Sequence, residues 1–403
     1  MLRKLDLRSG IPVWSAYRSP SVPVSRLTRD MKTDMLIVGM GVSGAMVAEA
    51  LTRDGHSVIC LDRRGPLKGS TAATTALVQF EIDQPLTRLA MMIGGDAARQ
   101  AWRRSRLALL NLQGRIAELD LRCRSATTPS LYLAGDRLGA LDLRREAEAR
   151  QRTGIAASFL TREELRSEFG IDRPAAILSH DNLALDPRKL TSGLLLAALE
   201  RTARFYAPVE ATSIEDNRLG VTVATRQGPV ITARHLILTT GYELLDIVPV
   251  ANHRVISTWA IATSPQPRKI WPHAAMIWEA SDPYLYVRAT ADGRVICGGE
   301  DEDFTDEERR DGLTPAKTQL LSRKLVEIFP QLDTTAHFAW SGSFGATGTG
   351  LPIIGSVPGH PRVHAVMGYG GNGITFSQIA SEIISASVAG ADDMDADLFA
   401  FKT

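Results

Sequence analysis

Met35-Leu-Ile-Val-Gly-Met-Gly-Val-Ser-Gly44 is the stretch from which the fold can be read. The apolar run 35–38 has the character of a strand buried on both faces. It breaks into Gly39-x-Gly41-x-x-Gly44 and continues as Ala45-Met-Val-Ala-Glu-Ala-Leu51, a run of good helix formers. Each glycine has a task in such a strand–turn–helix. Gly39 permits the tight turn, Gly41 lets the backbone approach a pyrophosphate, and Gly44 lets helix and strand pack closely. Val42 and Ser43 sit between the glycines, where the helix N-terminus offers N–H groups and partial positive charge to phosphates. Val58-Ile-Cys-Leu61 reads as a second buried strand and ends at Asp62, an acid placed to accept hydrogen bonds from a ribose diol. Asp62 favours an unphosphorylated ribose, while Arg63 and Arg64 beside it keep a 2′-phosphate open. Strand, glycines, helix and acid together point to a dinucleotide site; the alternative is a glycine-rich turn in another α/β protein.

Length and composition set the outer bounds. A chain of 403 residues, 44% hydrophobic and 23% charged, is that of a globular protein of two or three domains. A net charge of +1 gives no reason to expect nucleic acid as a partner. Cys60, Cys123 and Cys297 stand far apart, which argues against a zinc site or a disulfide framework and fits a reducing, cytoplasmic setting. No apolar run approaches the ~20 residues that span a bilayer, and no apolar core follows the basic N-terminus. The expectation is an enzyme-sized cytoplasmic protein without metal or membrane span.

Along the chain, residues 1–30 read as an extended arm anchored by Trp14 and Tyr17, or as a disordered tail. After Asp62 comes a small, hydroxyl-rich loop whose Ser70, Thr71, Thr74 and Thr75 can donate to phosphate or to a polar ring edge, with Ala76 allowing close approach. Residues 95–122 form an amphipathic helix with Trp102, Leu107, Leu110 and Ile116 apolar, and Arg103, Arg104, Arg106 and Arg115 as a solvated face. Thr161-Arg-Glu-Glu164 opens a helix with a capping box, and Asp186-Pro187 caps another that runs to about Arg204. Strands follow at 205–214, 220–225 and 230–238, the last reaching Thr239-Thr-Gly241, then at 253–263 and 284–299 with Asp292-Gly293 as a hairpin turn. Glu300-Asp-Glu-Asp303 reads as a solvated loop before a helix of about 314–329, in preference to a metal cage.

The C-terminal region carries a second strand, glycine loop and helix. Val363 to Met367 leads into Gly368-Tyr-Gly-Gly-Asn-Gly373 and a helix from Ile374 to about Ala389. Two such loops can hold the two ends of one long cofactor. A flavin suits them, because a helix N-terminus stabilises negative charge on the reduced ring.

Four blocks now resemble one family in order and spacing: Gly39 to Gly44, Thr239-Thr-Gly241, Tyr284 to Gly299, and Leu351-Pro-Ile-Ile-Gly355 with Gly370-Gly-Asn-Gly-Ile-Thr375. They resemble the D-amino acid oxidase-like flavoproteins, and the arm with Trp14 is most similar to the gamma-glutamylputrescine oxidase branch. The resemblance implies an α/β fold with a Rossmann-like FAD-binding unit (31–94, 183–250 and 335–403) and a discontinuous antiparallel-sheet substrate unit (95–182 and 251–334). It implies non-covalent FAD held by Gly39, Gly41, Val42, Ser43, Gly44, Asp62 and Arg63. Ser70, Thr71, Thr74, Thr75, Ala76, Val209, Thr240 and Gly241 would continue the site, and Gly371, Asn372, Gly373, Ile374 and Thr375 would lie at the flavin. Amino-acid members carry an arginine for the substrate carboxylate before the Leu-Pro-Ile-Ile-Gly block; here that segment is Trp340-Ser-Gly-Ser-Phe-Gly-Ala-Thr347. An amine substrate, or an acid anchored elsewhere, for instance by Arg288, is therefore expected. Gln79, Glu81, Trp259 and Phe344 are pocket candidates, each equally readable as structural, and Lys269 is a weak candidate for promoting reaction with oxygen. The implied reaction is oxidation of a C–N bond by hydride transfer to flavin N5, with oxygen or another acceptor taking the electrons. The rivals are an FAD dehydrogenase, a flavin-bearing component of a larger complex and an NAD-dependent reductase.

Overall fold

The computed structural model describes residues 6–217, 219–249 and 253–402. Among them, two sheets organise the chain, one of eight strands and one of ten. The first has five parallel neighbours in the order His360–Met367, Val230–Leu238, Met31–Val38, Val58–Leu61 and Ala203–Tyr206. Helices Val42–Arg53, Pro187–Arg201 and Gly373–Val388 pack on one face. The antiparallel strands Ala211–Asn217 and Gly220–Thr225 continue from Val230–Leu238, and their apolar side chains pack with the other face. Met35 and Ile37 therefore join the helix-side core while Leu36 joins the opposite one. Burial on both faces is why the strand is uninterruptedly apolar.

The second sheet runs Arg8–Gly10, Ala336–Thr347, His253–Thr263, Val295–Glu302, Leu285–Ala289, Met276–Glu279, Ala126–Leu133, Ala175–Ala184 and Leu77–Val78, with Ala157–Thr161 on Ala175–Ala184. Leu77–Val78 and Ala336–Thr347 lie inside segments assigned from the sequence to the FAD unit, yet they are hydrogen-bonded in this sheet. Helix Glu307–Ile328 covers one of its faces.

Of the two readings of the arm, the anchored one holds over its described residues: Arg8–Gly10 is a strand on Ala336–Thr347, and Trp14 is buried. Several other local expectations are corrected. The stretch 205–214 is two strands, because the chain turns at Ala207–Val209 to wrap Asp62. The capping box at Thr161 and the Asp186 cap form as read, but the second helix stops at Arg201. The helix expected from 314 starts at Glu307 behind an Asp306 cap and passes through Pro315. In helix Gly95–Glu118 the arginines are not a simple solvated face. Arg104 and Arg115 are buried on Asp393 and Glu49, while Leu107 and Leu110 are exposed. Buried Glu49 on the facing helix Val42–Arg53, and half-buried Asp393 in the loop before Ala396–Phe399, pull those guanidinium groups inward. Glu300–Glu302 is no solvated loop but the end of a strand, with Glu300 buried against Lys317 and Lys324.

Candidate active site

The turn after Met31–Val38 is closed by its glycines. Gly39 has φ +114°, and a Cβ there would lie 2.3 Å from Thr239 O; a Cβ on Gly44 would lie 1.9 Å from Gly39 O. Chain packing demands both. Gly41 differs, since a Cβ there would meet only Thr71 Oγ1, at 3.1 Å. Its Cα faces an open cleft lined by residues of both sheets.

Most of the residues singled out in the sequence come together on that cleft. Gly39, Gly41, Val42 and Ser43 line it from the first turn, and Val42 N–H donates to Thr71 Oγ1 at 3.0 Å. Asp62 and Arg63 line it from the next strand end, with Val209 beside them through its N–H to Asp62 O at 2.9 Å. Ser70, Thr71, Thr74 and Thr75 contribute from the small-residue loop, Thr240 and Gly241 from the turn after Leu238, and Gly371, Asn372, Gly373 and Ile374 from the C-terminal loop. The Asp62 carboxylate already accepts from the N–H groups of Met40 (2.8 Å), Arg64 (2.7 Å) and Gly65 (2.8 Å). Burial pushes its pKa up and these donors oppose the rise. A carboxylate has about four acceptor positions, so one is left for a ligand. Arg63 and Arg64 are both held by Glu243.

Other residues stand off the wall or turn away from it. Gly44 is consumed by helix packing, and Ala76 carries φ +55° behind the loop. Thr375 Oγ1 donates to Gln79 O at 2.7 Å, and Asn372 Nδ2 donates to Glu81 O. Together with Gly371 N–H to Asp83 Oδ2 at 2.9 Å, they stitch residues 79–83 to the C-terminal glycine loop. Glu81 is fully buried with Ser130 and Arg150. Of the pocket candidates, Gln79 and Phe344 line the cleft. Trp259 touches it, but its indole belongs to the core on the side of helix Glu307–Ile328: Nε1 donates to Arg310 O at 3.0 Å, and Lys317 Nζ lies 4.6 Å from the ring. Lys269 is exposed and is not on the wall.

Arg288 is off the wall too. Its guanidinium donates to Ala76 O and to Leu185 O (3.1 Å), and burial lowers its pKa to about 10. It is one of three donors that hold the small-residue loop by its carbonyls. Trp340 Nε1 takes Ala73 O at 2.8 Å, and Trp14 Nε1 takes Thr74 O at 2.6 Å. The arm and the second sheet thus fix the loop that lines the cleft.

Sequence reasoning missed Asp83, Thr258, Trp278, Tyr284 and Tyr286, which also line the cleft. The Tyr284-x-Tyr286 alternation puts both rings on one face of a strand and was the available signal.

The family described as FAD dependent oxidoreductase matches residues 34–387. This chain belongs to that family. Among curated proteins it is similar to the putative Rieske 2Fe-2S iron-sulfur protein YhfW of Bacillus subtilis (strain 168), 22% identical over 91% of this chain and 70% of that one. It is also similar to an opine oxidase subunit of Rhizobium meliloti, 23% identical over 92% of this chain and 97% of that one. Among solved structures it matches glycine oxidase from Geobacillus kaustophilus with a TM-score of 0.75 at 19% identity, covering 92% of this chain and 99% of that one, which is a likeness of fold.

The cofactor of this FAD dependent oxidoreductase is FAD, and the wall suits it. Ser70 Oγ and Gln79 Nε2 are buried on the cleft without a hydrogen-bond partner among the described residues. Buried polar groups are normally satisfied, so both mark where a polar ligand belongs. The first turns of helices Val42–Arg53 and Gly373–Val388 face the same cleft and favour negative charge there. Cys60, Cys123 and Cys297 are buried elsewhere, and none lines the cleft. Among the described residues there is no group suited to a metal ion, and no helix is long and apolar enough to cross a membrane.

Proposed function

We propose that this oxidoreductase converts the C–N bond of an amine to an imine. One observation carries the choice of an amine over an α-amino acid. Among the described residues, the only Lys or Arg side chains on the cleft wall are Arg63 and Arg64, beside Asp62 and engaged by Glu243. The segment where a carboxylate-binding arginine would be expected instead presents Phe344, and Arg288 is occupied by backbone carbonyls. A carboxylate buried against Phe344 would go unpaired, at a cost of several kcal/mol.

On this reading the first sheet carries the cofactor and the second covers the substrate. When bound, FAD supplies the acceptor for a hydride leaving the carbon next to nitrogen. Gly41 and the N-termini of the two helices hold its negative charge, and Thr74 and Thr75 fix its position. The aromatic side chains on the second sheet exclude water and align the amine. The reacting nitrogen is neutral, so no strong acid or base is required on the wall.

The test is anaerobic bleaching of the visible flavin absorbance of the purified holoenzyme, across primary and secondary amines and α-amino acids. Bleaching by amines supports the reading, and bleaching by α-amino acids alone overturns it. Oxygen uptake then separates an oxidase from a dehydrogenase that uses another acceptor. A second reading, a flavin-bearing component of a larger oxidase, is favoured by the similarity to the Rhizobium meliloti opine oxidase subunit, which extends along nearly the whole length of that protein. Exposed Met91 and Met92 on helix Leu86–Ile93 are consistent with it. Co-purification of a second polypeptide from the native source would support that reading.

A further inference from the structure

The end of the cleft formed by the second sheet has a specific construction. One register row across the sheet reads Trp278, Tyr286, Gly298, Ala260, Trp340. A Cβ on Gly298 would lie 2.5 Å from the Tyr286 ring, so the glycine lets that ring lie across its neighbour strand. Trp278 stacks at 3.8 Å on Tyr132, and Tyr284 approaches Tyr286 at 5.8 Å. The result is an aromatic corner.

Two carboxylates border the same corner, Asp83 on the wall and Asp301 directly behind the lining residues Thr258 and Tyr284. In Val295–Glu302 the pairing with His253–Thr263 slips, with Trp259 opposite Gly299 but Ser257 opposite Glu302. Glu300 and Asp301 thus both oppose Thr258, in a β-bulge whose Glu300 has φ +57°. Strict alternation would send Glu300 to the cleft side. The bulge instead turns Glu300 to Lys317 and Lys324, and sets Asp301 beside the Thr258 and Tyr284 hydroxyls. Both Asp301 oxygens are closed to solvent, and the donors beside them, the Thr258 and Tyr284 hydroxyls, make no well-formed hydrogen bond to them, so their acceptor positions are unfilled. Trp278 is buried to 8% exposure and lies on the wall. Asp83 opens onto the cleft from the opposite side and lies within electrostatic reach of Tyr132, Tyr284 and Asp301. The cation nearest Asp301, Lys317, sits on the far face of the sheet with Glu300 and Glu302.

Paired carboxylates with unfilled acceptor positions beside aromatic faces are the chemistry of ammonium recognition. We propose that this corner is a cation subsite, in which Asp83 and the Asp301–Tyr284–Thr258 group, walled by Trp278 and Tyr286, hold a second, protonated nitrogen of the substrate. The substrate class is then a diamine or longer polyamine. The inference rests on the C–N oxidation reading and adds what lies at the other end of the molecule.

The experiment is calorimetric titration of the oxidised, anaerobic holoenzyme with 1,4-diaminobutane, butylamine and 4-aminobutanoate, whose reacting ends match and whose far ends are cationic, neutral and anionic. The diamine is expected to bind roughly ten-fold or more tightly than butylamine, with 4-aminobutanoate weakest. Asp83→Asn and Asp301→Asn should each bring the diamine-to-butylamine ratio toward one. Equal or undetectable binding of diamine and butylamine overturns the proposal, as does a ratio that neither variant changes. Bleaching by butylamine without a diamine preference sinks the subsite and leaves C–N oxidation standing. A diamine preference without bleaching by any of the three does the reverse.

Discussion

Replacing Asp301 by asparagine removes one titrating group while keeping its shape, and the structure fixes the sign of the effect. Burial is the largest influence on this carboxyl, with the Asp83 charge adding to it; the Thr258 and Tyr284 hydroxyls and Lys317 act the other way. The net result lifts its pKa from an ordinary 3.8 to about 6. A carboxyl whose folded pKa lies above its unfolded value favours folding only while protonated. That stability is whole below about 4 and lost as pH rises through about 6. At ~1.4 kcal/mol per pH unit between the two values, ionised Asp301 costs at most about 3 kcal/mol at neutral pH. Urea unfolding of wild-type and Asp301→Asn holoenzyme between about pH 4 and 8 reads this directly. The two should coincide near pH 4, and the variant should become more stable by up to about 3 kcal/mol by pH 8. A stability difference that does not change with pH would refute the argument. So would a variant less stable at pH 8, which would mean that the Thr258 and Tyr284 hydroxyls and Lys317 stabilise ionised Asp301 by more than burial opposes it.

The cleft loop and the glycine turn yield further expectations. Arg288→Met strands the Ala76 and Leu185 carbonyls, and Trp14→Phe strands that of Thr74; at about 1–3 kcal/mol per stranded group, FAD should dissociate roughly ten-fold faster on dilution, followed by flavin fluorescence. Gly44→Ala should lower the yield of folded protein, because its Cβ would overlap Gly39 O, whereas Gly41→Ala should fold and bind FAD more weakly, measured by flavin-to-protein absorbance ratio. Phe344→Arg places a guanidinium on the cleft wall and should confer turnover of an α-amino acid while reducing that of amines; unchanged kinetics on every substrate would remove Phe344 from the substrate end.

The donors that grip residues 73–76 come from distant parts of the chain. Trp14 belongs to the arm, Arg288 to a hairpin strand and Trp340 to a strand near the C-terminus. The shape of the cleft therefore depends on the two sheets being assembled together, and a lesion in the arm is expected to act at the cofactor.

The glycine turn at Gly39–Gly44, the buried parallel strands, the helix caps at Thr161 and Asp186, and the family were all legible in the order of residues. These are local matters of glycine stereochemistry, apolar runs and capping hydrogen bonds, and each is complete within a few residues. Which way individual side chains face depends instead on partners far along the chain. Trp259 joins the core because its strand lies under helix Glu307–Ile328, and Arg288 serves the loop because the chain brings Ala76 and Leu185 to it. Asp301 reaches the cleft corner through a bulge whose extra residue is visible only against its partner strand, and Asp83 reaches it through a backbone N–H of Gly371, far along the chain. Sequence pattern gives the period of a strand; the register of the neighbouring strand decides where that period slips.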